Sequence, residues 1–271
     1  MGINSLNIIV PIKQVPESSN VKMDPATGTV IRTGIETVVN PLDLYALEAA
    51  LRLKEQYGGT VTAITMGPPQ AKKALKEALA MGCDNAVLVS DKKFSGSDTH
   101  ATSYTLAEAI RVIGTYDILV CGERATDGDT AQVGPGIAAW LDLALVTYVS
   151  KINKLENQRI EVERLLEEGY QILSAPLPCL ITVVKEIASP RLPTLDGKIK
   201  SMELQFPVYS TETMNLKPEY LGLKGSPTKV VSISSPKITR SGKVLLVNDE
   251  VSLNNAVDAI VDLLEVKGAL P

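Results

Sequence analysis

Thr60-Val61-Thr62-Ala63-Ile64-Thr65-Met66 is followed by Gly67-Pro68-Pro69, an alanine-rich stretch to Met81, Gly82, and then Ala86-Val87-Leu88-Val89-Ser90. The two outer runs are short, apolar and rich in β-branched residues, which is the pattern of buried strands. Between them Ala71, Ala74, Leu75, Ala78 and Leu79 recur at helical spacing. Pro68-Pro69 is suited to a helix start and Gly82 to a helix end. Strand, helix and strand with short connections make a crossover unit, and such units build parallel sheets.

The same alternation extends in both directions. Residues 6–12 and 116–121 read as further buried strands, and residues 99–113 as a helix. Leu42, Ala46, Ala49 and Leu53 keep one helical face apolar, with Asn40 placed to cap that helix and Pro41 at its first position. Another helix is expected to open near Thr130. Residues 159–166, 170–174 and 179–184 read as additional strands. The expected fold is a doubly wound α/β sheet over residues 1–190, with helices on both faces. From residue 191 the chain is read as a loop and a C-terminal arm. Residues 189–242 are rich in Pro, Gly, Ser and Lys and end in a helix over 253–266, so this arm is expected to wrap a partner.

Composition narrows the function. Of 271 residues, 45% are hydrophobic and 21% charged, as in ordinary globular chains, and a net charge of -4 disfavours nucleic acid as a partner. No apolar run is long enough to span a membrane, and the first residues lack a secretory pattern, which leaves the cytoplasm as the expected compartment. Cys83, Cys121 and Cys179 are far apart and His100 is the only histidine, so neither metal clusters nor a Ser/His/Asp arrangement is supported. Whatever the protein does, the hard chemistry is therefore expected from a bound cofactor. No GxGxxG follows the first strand, and there is no GxxxxGK[ST] or SGGxDS loop.

Ligands of open parallel sheets sit beyond the carboxyl ends of the strands, where strand order reverses. Three segments fall there. The first is Pro11-Ile12-Lys13-Gln14-Val15. The second is Met66-Gly67-Pro68-Pro69, where a planar base can approach the glycine closely. The third is Gly122-Glu123-Arg124-Ala125-Thr126-Asp127-Gly128-Asp129-Thr130-Ala131-Gln132-Val133-Gly134-Pro135. Its free helix-start amides suit a phosphate, with Gly128 as the point of close backbone approach. Asp127 and Asp129 suit amide capping or ribose hydroxyls rather than phosphate. A capped helix start with no ligand fits the same residues. Lys13 reads either as a surface lysine or as a cation for a reduced ring.

Taken together these segments resemble the beta subunit of electron-transfer flavoproteins over nearly the whole chain. The resemblance is carried by Ile9-Val10-Pro11-Ile12-Lys13-Gln14-Val15-Pro16, by Asn40-Pro41-Leu42-Asp43-Leu44-Tyr45-Ala46-Leu47 and by Met66-Gly67-Pro68. It continues through Ala80-Met81-Gly82-Cys83-Asp84, the loop from Gly122, Val162-Glu163-Arg164 and Pro178-Cys179-Leu180-Ile181-Thr182. It implies nucleotide contacts at Pro11, at Asn40, Pro41, Leu42 and Asp43, at Met66, and from Gly122 through Val133. It also implies that Pro190-Arg191-Leu192-Pro193-Thr194-Leu195 is a recognition loop, with Leu192 and Leu195 meeting a partner dehydrogenase.

The family divides into members that hold AMP in this pocket and members that hold a second FAD. In the second kind that FAD takes hydride from NADH, then passes one electron to ferredoxin and one to the FAD of the alpha (large) subunit. Asp43, Tyr45-Ala46-Leu47 and Asp127-Gly128-Asp129-Thr130 resemble the second, bifurcating, anaerobe-type group. The dehydrogenase served is left open between an acyl-CoA type and a 2-hydroxy-acid type. A stand-alone adenine-nucleotide-binding regulatory module is the alternative of a different class.

Overall fold

The computed structural model describes residues 5–17, 36–231 and 242–269. The chain divides into two compact units, 1–231 and 232–271. In the first, strands β1 (Leu6–Pro11), β4 (Gly59–Met66), β5 (Asn85–Val89), β6 (Ile118–Gly122) and β10 (Cys179–Val183) run parallel at the centre of a nine-stranded sheet. Next to β10 lies β7 (Ala144–Glu156), followed by β8 (Arg159–Leu166) and β9 (Gly169–Pro176), which extend the sheet as an antiparallel meander. A short strand, β11 (Val208–Tyr209), pairs in parallel with β5 at the opposite edge. Outside the sheet, β2 (Gln14–Pro16) and β3 (Thr37–Val39) form a small antiparallel ribbon.

Period-two alternation explains why both faces are covered. Leu6, Ile8 and Val10 of β1 enter one buried cluster together with Leu47, Leu51 and Leu75, from helices α1 (Pro41–Tyr57) and α2 (Lys72–Met81). Ile9, Ile64, Leu119 and Leu180 point the other way, to Tyr104, Ile110 and Ile137 of α3 (Thr99–Ile113) and α4 (Val133–Leu141). The parallel α/β core expected from the sequence is therefore present.

Several details differ from expectation. The 144–156 strand, the longest of the sheet, was not expected. A helix, α5 (Leu195–Glu203), occupies a stretch read as irregular, with the Thr194 hydroxyl accepting from Gly197 N at 2.9 Å. The helix expected near Thr130 starts at Val133 instead. Asp129 and Ala131 adopt left-handed backbone (φ 53° and 55°), which a right-handed helix cannot include.

In the second unit, α6 (Glu250–Val266) is closed at its start by a capping box between Asp249 and Ser252. Among its residues Val251, Val257, Ile260 and Leu263 are exposed. No helix among the described residues is long and apolar enough to cross a membrane.

Candidate nucleotide site at the sheet switch point

From β1 the chain builds outward through β4 to β5, then returns to place β6 on the other side of β1. Strand order thus reverses between β1 and β6, and the loops leaving their carboxyl ends face each other across that gap. Those loops begin at Pro11 and at Gly122, so the first and third expected segments are brought together.

Asn40 and Asp43 hold the two sides in place. Asn40 is completely buried. Its Nδ2 donates to the Arg124 carbonyl at 2.9 Å and its Oδ1 accepts from Thr126 N at 3.2 Å. Its own backbone N–H donates to the Lys13 carbonyl at 2.8 Å. Asn40 does sit at the position before α1, but its side chain makes no cap bond there. It is committed instead to the 124–126 turn, while the backbone carbonyl of Asn40 accepts from Asp43 N at 2.9 Å. Asp43 completes the link, accepting from Lys13 N at 2.7 Å.

Close approach makes glycine necessary at 122. A Cβ there would lie 2.4 Å from Asp43 Oδ1 and 2.9 Å from the Leu42 carbonyl oxygen, so the end of β6 touches the first turn of α1 directly. Gly128, expected as the point of close backbone approach for a ligand, has open space beside it on the protein side. A Cβ there would meet only the Lys13 ammonium, at 4.0 Å.

Burial pushes the Asp43 carboxyl up to about 7, against the lowering effect of its bonds from Lys13 N–H and Asn40 and of the Lys13 charge. At neutral pH it is therefore divided between protonated and ionised forms. Lys13 turns its ammonium to Asp127 Oδ1 at 2.6 Å and bridges the gap between the two loops at its exposed side. Arg124 lies 3.1 Å from Asp129 Oδ1 and 3.4 Å from Glu123 Oε1, a surface group with little net energetic effect.

What the loop offers a ligand is a row of donors. Among the described residues no acceptor takes the N–H groups of Asp127, Gly128, Thr130, Ala131, Gln132, Val133 or Gly134. Left-handed backbone at Asp129 and Ala131 shapes the loop just ahead of α4, whose positive amino end adjoins this surface of free amides. Such a surface fits a phosphate or pyrophosphate. Thr130 is tied to the start of α3 through Thr99 Oγ1 at 3.3 Å.

The second expected segment lies two strands from β6. Gly67 N donates to the Val89 carbonyl at 3.0 Å, and Gln14 Nε2 reaches the Gln70 carbonyl at 3.3 Å, which connects this turn to the chain just beyond Lys13. Met66 and Val133 are both half-buried against the same core cluster. Pro11 is buried, Leu42 half-buried and Pro41 exposed. Leu192 and Leu195 belong to a different part of the surface and are 85% and 74% exposed.

All three cysteines are buried, which raises their thiols, Cys83 and Cys179 to about 12. None is a thiolate nucleophile. Among the described residues there is no group of three or more metal-type side chains. A polar cleft lined by Asn7, Thr60, Thr62, Asn85 and Thr115 lies at the opposite, amino edge of the strands and carries no charged side chain.

A family described as the electron transfer flavoprotein domain matches residues 27–207. The chain belongs to the electron-transfer flavoprotein family, on its beta-subunit side. It is 45% identical to "Electron transfer flavoprotein subunit beta" of Thermoanaerobacterium thermosaccharolyticum, a match covering 94% of this chain and 98% of that one. It is 43% identical to "Caffeyl-CoA reductase-Etf complex subunit CarD" of Acetobacterium woodii, over 97% and 99% of the two chains. "Protein FixA" of Azotobacter vinelandii is also 43% identical, over 94% and 92%. As an electron-transfer flavoprotein beta subunit, the chain has two of the segments that carry the resemblance, those after Pro11 and Gly122, at the β1/β6 switch point, while Ala80–Asp84 precede β5 and Val162-Glu163-Arg164 lies in β8. Sequence reading did not find the Lys13–Asp127 bridge or the side-chain role of Asn40. Both are contacts between residues more than 80 positions apart, and no local spacing signals them.

Proposed function

We propose that this electron-transfer flavoprotein beta subunit holds FAD at the switch point and works in a heterodimer with the alpha (large) subunit. The observation that carries the reading is the set of amides between Asp127 and Gly134, all but that of Asp129 without an acceptor among the described residues, next to the 124–126 turn that Asn40 braces. It suits the pyrophosphate of a dinucleotide. FAD held there would supply the redox chemistry, as acceptor of the NADH hydride and donor of single electrons to ferredoxin and to the FAD of the large subunit.

The chain's own residues do the rest. The amides ahead of α4 orient the phosphates, and Asn40 keeps them in register. Asp43 fixes the Lys13 backbone, so that the Lys13 ammonium stands at the mouth of the site beside Asp127. Residues 191–271 supply the docking loop and the contacts with the large subunit. Leu192 and Leu195 dock a dehydrogenase of the acyl-CoA or 2-hydroxy-acid type, and their exposure supports that use. The name of the Acetobacterium relative, a subunit of a caffeyl-CoA reductase complex, favours the acyl-CoA type. No nucleic acid takes part, and the complex works in the cytoplasm. Flavin counted per purified heterodimer, together with NADH-dependent ferredoxin reduction in the presence of a high-potential acceptor, tests the reading.

A further inference from the structure

We propose that Arg191 is a positioning residue for docking: its guanidinium, seated on Glu48 and Glu55 of α1, fixes the 190–195 segment so that Leu192 and Leu195 stand outward. The inference rests on the docking role given above to those leucines, and it adds what holds them.

Two leucines left in water forgo the stabilisation that burial would give them. The apolar stripe continues along α5 through Ile199 and Met202, four and seven residues after Leu195, and both are exposed. A segment free to move would lose conformational entropy on docking. This one is ordered in advance, at both ends.

At the upstream end Arg191 Nε donates to Glu48 Oε2 at 2.8 Å, Arg191 N to the same oxygen at 3.1 Å, and Nη2 to Glu48 Oε1 at 3.3 Å. Nη1 and Nη2 also donate to the two carboxylate oxygens of Glu55. Downstream, Thr194 N donates to the Ala80 carbonyl at 3.2 Å. The first turn of α5 then lies so close to the end of α2 that a Cβ on Gly197 would be 2.2 Å from the Ala80 oxygen.

The charge arrangement makes the upstream clamp selective for arginine. The Glu48 side chain is only 4% exposed. Burial pushes its carboxyl up, but hydrogen bonds from Arg191 and Arg52 outweigh that effect and hold it below the usual range. The Arg191 bonds also hold the more exposed Glu55 carboxyl down. One planar fork bonds to two carboxylates and, with the Arg191 backbone N–H on Glu48, holds the chain immediately before Leu192 against α1. A lysine ammonium cannot make this set of bonds. The clamp is also remote from the nucleotide site: Glu48 lies ~12 Å along α1 from Asn40, at 1.5 Å per residue.

The test uses the flavin-loaded heterodimer and a purified acyl-CoA-type dehydrogenase that accepts its electrons, comparing Arg191→Gln, Arg191→Lys, Glu55→Gln and Leu195→Ala. Arg191→Gln is expected to raise the KM for the dehydrogenase about tenfold with kcat within about twofold. Amide exchange over residues 192–197 should speed up, with flavin content and NADH-dependent dye reduction unchanged. Arg191→Lys should not rescue the effect. If Leu195→Ala raises KM but Arg191→Gln leaves both KM and exchange as in wild type, the inference is overturned and the docking reading stands. If Leu195→Ala also leaves KM unchanged, the docking reading fails, and this inference with it. Should Arg191→Gln not assemble, Glu55→Gln decides, since it removes only the exposed half of the clamp. A KM rise of about threefold supports the clamp, and no change overturns it.

Discussion

Replacing Asn40 with alanine removes a side chain that bonds both to the Arg124 carbonyl (2.9 Å) and to the Thr126 amide (3.2 Å). Each lost bond is worth about 1 kcal/mol net, because folding exchanges bonds to water for bonds within the protein. Thr126 is exposed, so water can replace its partner and no full desolvation penalty is added there. The sum is about 2 kcal/mol, and it falls on the conformation of the 124–126 turn, from which the row of free amides follows. If ligand binding requires that conformation, the loss appears in affinity as about 30-fold, at 1.4 kcal/mol per decade. Titration calorimetry of FAD into the nucleotide-stripped heterodimer measures it, with amide exchange over 124–132 reporting the local loosening. An affinity within twofold of wild type, with exchange unchanged, would refute the argument that Asn40 braces the donor surface.

Gly122→Ala places a methyl group 2.4 Å from Asp43 Oδ1 and should destabilise the heterodimer by about 1–3 kcal/mol while lowering nucleotide content. Thermal unfolding together with a nucleotide assay checks both effects. The raised Asp43 carboxyl binds a proton in the folded state that it does not bind unfolded, from its ordinary value near 3.8 up to about 7. Through that window wild type should lose stability relative to Asp43→Asn as pH rises, by at most about 1.4 kcal/mol per unit. The difference should be constant above it, as denaturant titration at stepped pH would record. Leu195→Ala removes an exposed side chain, so stability should hold while dehydrogenase docking weakens by about 1–3 kcal/mol. The KM for the dehydrogenase reads this directly.

The parallel core was legible because β1, β4, β5, β6 and β10 are apolar on both faces, and helices capped by Pro and Gly separate the first of them. The 144–156 strand was missed for the opposite reason. Lys151, Lys154 and Glu156 face water there, and Tyr148 interrupts the alternation with left-handed backbone (φ 57°). In α5, Leu195, Ile199 and Met202 have helical spacing, but that stripe points to solvent, and two prolines and a glycine nearby read as loop. At the site, the segments were legible from their place after strand ends. Their internal wiring was not. Asn40 carries every local mark of a cap, and only the tertiary approach of the 124–126 turn redirects its side chain. The crowding at Gly122 was likewise not legible, because it comes from α1, about 80 residues earlier in the chain.

The most direct test of the account is the identity of the nucleotides released when the purified heterodimer is denatured. Chromatography of the released material should give two FAD per heterodimer and no AMP. One FAD with one AMP would contradict the assignment of FAD to the β1/β6 switch point, and with it the role of this subunit as the place where NADH delivers its hydride.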